Sequence, residues 1–316
     1  MPSELRRTAS ATCLTILALL VFLCACSKPQ EKASMKLFAS PDQAGDAVLQ
    51  AAKAGDQAAV LAIFGPDAKD IIFSGDAVQD KNSVDRFINA YQVMHRWRAM
   101  TDGSQHLLVG ADNYPFPIPL KKNASGQWYF DIAAGKDEIL ARRIGRNELA
   151  VIDVCAALAD AQQEYFSQPR NGEKTRQYAL KFISDAGTQN GLYWDSPPDQ
   201  PHSPLGPMAA FATNEGYSMK PDAHQPFHGY YFRMLTRQGS KAPGGAKDYV
   251  VNGKLTGGFA FLAYPAEYRN SGVMTFLVGP DGVVYQKDLD AKTSDVAAGI
   301  TEYDPGDGWA NVAAGE

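Results

Sequence analysis

The chain has 316 residues, is 45% hydrophobic and 21% charged, and carries a formal net charge of -5. That length suits about two domains of ~100–200 residues each, with enough chain to bury a sizeable core. The mildly acidic balance argues against general nucleic-acid binding, which needs a basic face.

The N-terminus carries an address. Arg6 and Arg7 precede an apolar run, Leu14 to Leu23, that is broken only by Thr15 and is too short to cross a bilayer comfortably. The run ends Leu23-Cys24-Ala25-Cys26, which resembles the bacterial lipobox. The resemblance implies that residues 1–25 leave as a lipoprotein signal peptide and that Cys26 is lipidated. Each buried methylene of such a lipid contributes ~0.8 kcal/mol, so two or three acyl chains anchor stably. Ser27 rather than Asp follows, which by the sorting rule of such lipoproteins implies the periplasmic face of the outer membrane. A plain secretory signal and a transmembrane anchor are the alternatives. Of the four cysteines, Cys13 and Cys24 would leave with the signal. Only Cys155 would then be left beside the lipidated Cys26, so no internal disulfide is expected. Cys155 lies in the apolar helical run Val151 to Leu158 and reads as a small buried hydrophobe; a nucleophile would need a base and exposure.

Residues 26–39 read as a polar tether and 40–135 as a first α+β domain. Ser40 and Pro41 open a helix closed by Gly55, and Asp56 opens a second that stops at Gly65-Pro66. A third helix is expected from about Asp80, with Val84, Phe87, Ile88 and Tyr91 on one face. Strands follow at Leu107–Val109, at Phe116–Leu120 where three prolines limit the ladder, and at Gln127–Asp131 after the turn 123–126. Residues 136–316 read as a long helix, to about Gln168 and interruptible at Gly145, and a sheet domain. Five prolines between 197 and 207 argue against regular structure there. Strands are expected at 228–237, 259–264, 273–278 and 283–286, the last two joined across Gly279-Pro280-Asp281-Gly282.

No constellation commits to a reaction, and no catalytic residue, metal ligand or cofactor is assigned. His95 and His106 stand outside any pairing motif. His224-x-x-x-His228 has zinc-ligand spacing, but Pro226 opposes a helix. Ala242 to Ala246 lacks the strand, helix and Lys-Ser/Thr of a phosphate loop and reads as a hairpin loop or flap. Asp153 and Asp160, seven apart, mark the wet face of a helix. Tyr193, Trp194, Tyr230, Tyr231, Tyr264 and Tyr268 could line a groove or serve as core and sheet-face residues. Arg142, Arg143 and Arg146 cluster, either as a solvated face or as a contact for an anion or partner. Together with His228, Tyr231 and Arg233 they form the candidate contact surface.

Helices followed by a hairpin ending Gly126-x-Trp128-x-Phe130 resemble the nuclear-transport-factor-two-like fold over residues 40–135, in which a bent sheet wraps its helices into a cone. The order of the helix ending Ala161-Gln162-Gln163-Glu164-Tyr165-Phe166, then Gly229 to Arg233, Phe261 to Pro265, Ser271 to Phe276 and Asp281 to Tyr285 is similar to the globular part of pilins and pseudopilins. A whole domain precedes this helix, so that resemblance implies a fold and not polymerisation. Taken whole, the chain resembles bacterial envelope proteins grouped as domain of unknown function 2950. The residues carrying this are Arg142 to Leu149, Phe227 to Arg233, Ala242 to Ala246 and Ser271 to Phe276. The expectation is a lipid-anchored, non-catalytic binding or assembly module with an envelope protein partner and no nucleic acid. The alternative is a small-ligand binder or enzyme using a pocket in the cone; an open apolar pocket with convergent polar groups would favour it, and a filled cone would sink it.

Overall fold

The computed structural model describes residues 35–315 apart from 198 and 221–224; Cys26 and His224 lie outside the described residues. Local chemistry sets the first elements. Helix α1 (Pro41–Ala54) starts where the Ser40 hydroxyl accepts from the Gln43 N–H and ends at Gly55, whose φ of 61° suits a residue without a Cβ. Helix α2 (Gln57–Phe64) is capped by Asp56 and stops at Gly65-Pro66. After the single turn α3 (Lys69–Ile72), helix α4 (Ala77–Val93) begins earlier than expected, because Asp76 is its cap and accepts from the Gln79 N–H.

The first sheet is antiparallel. Its strands are β1 (His95–Ala99), β2 (Gln105–Val109), β3 (Tyr114–Pro115), β4 (Leu120–Lys122) and β5 (Trp128–Phe130), in the order β1-β2-β4-β5 with β3 beside β2. The strand expected at 116–120 falls at Leu120–Lys122, since prolines at 115, 117 and 119 have no N–H to give a ladder. Strand β1 had no clear signal: Trp97 is its only large apolar residue, and Arg96 and Arg98 are exposed.

Helix α5 (Ile132–Phe166) runs 35 residues, about 50 Å at ~1.5 Å per residue. Gly145 does not interrupt it. A glycine costs a helix only about 1 kcal/mol relative to alanine, and packing on both sides of Gly145 outweighs that. The first turns of α5 lie against the first sheet, where Gly135 allows close approach: a Cβ there would stand 2.8 Å from the Pro117 carbonyl.

The remainder of α5 packs on the second half of the chain. As expected, the proline-rich stretch holds no helix or strand over its described residues up to 205; α6 (Gly206–Glu215) starts at its end, with Pro207 in the first turn, where a missing N–H is harmless. Then come β6 (Tyr230–Leu235), the short pairs β7 (Arg237–Gln238) with β8 (Lys247–Asp248) and β9 (Val250–Val251) with β10 (Lys254–Leu255), β11 (Ala260–Pro265), β12 (Met274–Val278), β13 (Val284–Asp288), α7 (Thr293–Gly299) and β14 (Ala310–Asn311). The main sheet runs β14-β13-β12-β11-β6, antiparallel throughout. Val151, Cys155 and Leu158 of α5 meet Tyr230, Phe261 and Phe276 in one continuous core. The chain is α+β, and residues 35–316 fall in one compact unit containing both sheets. Among the described residues no helix is long and apolar enough to cross a membrane.

A candidate ligand cavity beside a buried polar seam

Five helices and the first sheet line a cavity of about 620 Å³. Helical periodicity builds its walls. Val48 and Ala52 of α1, and Val60 and Phe64 of α2, stand one turn apart on their helices; Gln79, Ser83, Phe87 and Ala90 share one face of α4; Ile139, Arg142, Arg143 and Arg146 share one face of α5. Phe116 and Ile118, in the proline-rich stretch before β4, close another side. The depth is apolar and aromatic: Phe64 lies 5.0 Å from Phe130 and 6.2 Å from Phe116, and Phe87 lies 5.4 Å from Phe116.

Arg86 and Arg146 are exposed, while Phe64, Ile118 and Val48 are almost closed to solvent. Arg142 pairs with Glu138 at 2.6 Å, donates to the Pro115 carbonyl and lies over the Tyr114 ring. Arg86 donates to the Ser83 hydroxyl. Among the described residues neither Arg86 nor Arg146 forms an ion pair. The guanidinium of Arg146 is pushed below its ordinary pKa by desolvation, then by the charge of Arg86. The lining has one carboxylate, Asp80, both of whose oxygens accept from the Ser74 N–H; burial raises its pKa against the opposing pull of that hydrogen bond and of Arg143.

Arg143 has a different task. It is buried, donates to the carbonyls of Ile71 and Ile72 at the end of α3, and reaches Asn270 of the second half. It belongs to a polar seam joining the halves. Asn147 accepts from Gln79 at 2.8 Å and donates to the Ser271 carbonyl at 2.8 Å. Glu148 accepts from the N–H groups of Val273 and Met274. Buried Asp76 accepts from Gln79 N–H, from the Tyr217 hydroxyl at 2.8 Å and from the Gly229 N–H at 3.0 Å. Gly229 is required here: its φ is 75°, and a Cβ would stand 2.6 Å from Asn147 Nδ2.

His228, next to it and also at positive φ, lies 3.3 Å from Glu215 and among Tyr217, Phe227 and Phe211. Desolvation holds its pKa below the ordinary value, against the pull of Glu215 and Asp76 and with a push from Arg146. Thus Arg142, Arg143 and Arg146 come together at the cavity, and His228 lies near Arg146. Tyr231 and Arg233 are elsewhere. Tyr231 packs on Tyr264, and Arg233 donates to the carbonyls of Ala297, Ala298 and Ile300 at the end of α7, a favourable place for a cation.

The other marked residues take structural places. His95 stacks on Tyr91, and neither it nor His106 lines the cavity. Trp194 packs edge-on to Tyr165. Asp153 and Asp160 are exposed on α5. The loop 242–246 joins β7 to β8 and is tied by Gln238 to the carbonyls of Pro243 and Gly245. No group of three His, Cys, Asp or Glu that could hold a metal occurs among the described residues. The functional candidates missed from sequence are Arg86, Asp76 and Tyr217. Asp76 carried a signal, an Asp just before a helix; Arg86 carried only its place on the face with Gln79, Ser83 and Ala90.

Three of the sequence stretches singled out above, Arg142 to Leu149, Phe227 to Arg233 and Ser271 to Phe276, converge on this seam. Neither a curated protein nor a solved structure matches the chain. Residues 35–312 match the family described as protein of unknown function DUF2950, and the chain belongs to that family.

Proposed function

We propose that this protein is a non-catalytic binding module that holds a small, largely apolar molecule in the cavity of its N-terminal half, carried at the envelope membrane by lipid on Cys26. The observation supporting it is the open cavity of about 620 Å³ with apolar depth and exposed arginines in its lining, within the ~300–1,000 Å³ usual for ligand sites. An N-terminal half filled by its own side chains would count against this reading; the cavity favours ligand binding over assembly. Its lining holds no histidine, cysteine or lysine, and its one carboxylate is engaged by a backbone N–H, so a binding role fits better than acid–base chemistry.

The test is titration of the Cys26→Ser form with an apolar fluorescent probe such as N-phenyl-1-naphthylamine, alongside Ala52→Trp, which places an indole in the cavity. Saturable enhancement, reduced at least about tenfold in affinity by Ala52→Trp, is the expected result; enhancement that ignores Ala52→Trp would place the probe elsewhere and overturn the reading. The anchor has its own test. Mass spectrometry of the parent should find lipid on Cys26 as the first residue, and Cys26→Ser should lack that mass; a parent without the lipid mass would refute lipidation at Cys26.

A further inference from the structure

We propose that the cavity takes a single-tailed amphipathic anion, its chain among Phe64, Phe87 and Phe116 and its acidic head held by Arg86 and Arg146, with Arg142 alongside. This deepens the proposed function and rests on it.

Three observations carry the assignment. The first is sign. The chain is acidic overall, at -5, yet the cavity is lined by Arg86, Arg142, Arg143 and Arg146 against the lone carboxylate of Asp80. A local excess of positive charge against an acidic background is a recognition feature, because it concentrates anions at one place.

The second is vacancy of the charge. Arg143 is occupied by the carbonyls of Ile71 and Ile72, and Arg142 is shared with Glu138 and Pro115. Arg86 and Arg146 line the same cavity and make no ion pair among the described residues. With Asp80 as the single carboxylate of the lining, these arginines leave the cavity with an excess of positive charge, and an anion placed between them gains two attractions. The planar fork of arginine suits the paired oxygens of a carboxylate or phosphate.

The third is volume. A cavity of about 620 Å³ has room for roughly twenty groups the size of a water molecule, at ~30 Å³ each. One medium chain with its head fits that space. The two long chains of a membrane diacyl lipid do not, so a single tail is assigned. Carboxylate and phosphate heads present the same chemistry to the arginines, and the experiment separates them.

The experiment is isothermal titration of the Cys26→Ser form with dodecanoate, dodecyl phosphate, dodecanol and acetate, each below its aggregation concentration. Dodecanoate or dodecyl phosphate should bind at least about thirtyfold more tightly than dodecanol, and acetate should show no measurable binding; whichever acid binds more tightly identifies the head. Arg86→Gln with Arg146→Gln should weaken the acid at least tenfold and leave dodecanol unchanged, while Arg86→Lys with Arg146→Lys recovers part of the loss. Neither arginine forms an ion pair among the described residues, so their replacement should leave the thermal midpoint near that of the parent. Dodecanol binding as tightly as the acids, indifferent to both arginines, would overturn the anionic head and leave the cavity reading standing. No binding by any tailed compound would overturn both.

Discussion

Around β11 and β12 the inward side chains meet one another: Phe261 lies 5.6 Å from Phe182 and 5.9 Å from Phe259, and Tyr230 lies 5.9 Å from Phe276. Around α4 and the first sheet, comparable aromatics ring a space. The buried residues there fall into two clusters, one about Phe64 and Phe130 and the other about Tyr91 and Leu107. A sealed, dry void of about 620 Å³ would cost ~15 kcal/mol at ~24 cal/mol per Å³, as much as the whole stability of a typical domain. Such a space is tolerable only as a cleft that admits water or a guest. The comparison teaches that the solid half stabilises the chain and allows the hollow half to stay open, provided the seam between them holds.

Breaking the seam should have the largest effect. Asp76→Ala leaves the Gly229 N–H and the Tyr217 hydroxyl buried without their acceptor and removes the cap of α4. A loss of about 3–5 kcal/mol is expected, the usual consequence of deleting one member of a buried charged network. Urea denaturation read by far-ultraviolet circular dichroism measures it. One transition, moved to lower urea, is the expected form; a change under 1 kcal/mol would mean that the two halves do not depend on this contact.

The next prediction sets the two halves against each other with the same kind of truncation. Leu262→Ala, in the solid half at 0% exposure, should cost about 2–5 kcal/mol through lost transfer energy and the hole left behind. Ile139→Ala only enlarges an existing space and should cost about 1 kcal/mol, because fewer contacts are lost. Equal losses, measured by the same denaturation, would mean that the N-terminal half is packed as tightly as the other.

Much of this contrast was hidden in the sequence, and the reasons differ by residue. Caps and turns were legible because their chemistry is local: Ser40 with Pro41, Gly55, the turn at Asn123 to Gly126 and the hairpin at Gly279 to Gly282 all fall as expected. Strand β1 was missed since an exposed strand of His, Arg, Trp, Arg and Ala has no apolar alternation. Helix α6 was missed because the last of the crowded prolines starts a helix rather than ending regular structure. The arginine cluster was legible, but the division of labour within it was not. Arg142 and Arg143 both line the cavity, but Arg142 is held by Glu138 and Pro115 while Arg143 is held at the seam by Ile71, Ile72 and Asn270, and only the tertiary partners reveal this. An empty space is what the side chains leave over, and no single residue announces it.

The smallest predicted effect lies in His228, where the halves and the cavity meet. The groups facing it are Glu215 and Asp76, which favour its charged form, Arg146, which opposes it, and the rings of Tyr217, Phe227 and Phe211. Desolvation is the largest influence, and the pKa lies below the ordinary 6.5. A histidine with a depressed folded pKa binds its proton more readily when unfolded, so stability should fall as pH drops through 6.5 toward that lower value. Each unit of depression is worth at most about 1.4 kcal/mol. His228→Asn tests this cleanly, because asparagine tolerates the φ of 49° and does not titrate: its urea midpoint should change less than that of the parent between pH 7.5 and pH 5.5. A parent whose midpoint rises on acidification would mean that Glu215 governs the site. An anion held at Arg146 would screen the charge that opposes protonation of His228, so a saturating acid ligand should flatten the parent's pH dependence while a neutral ligand of the same tail leaves it unchanged.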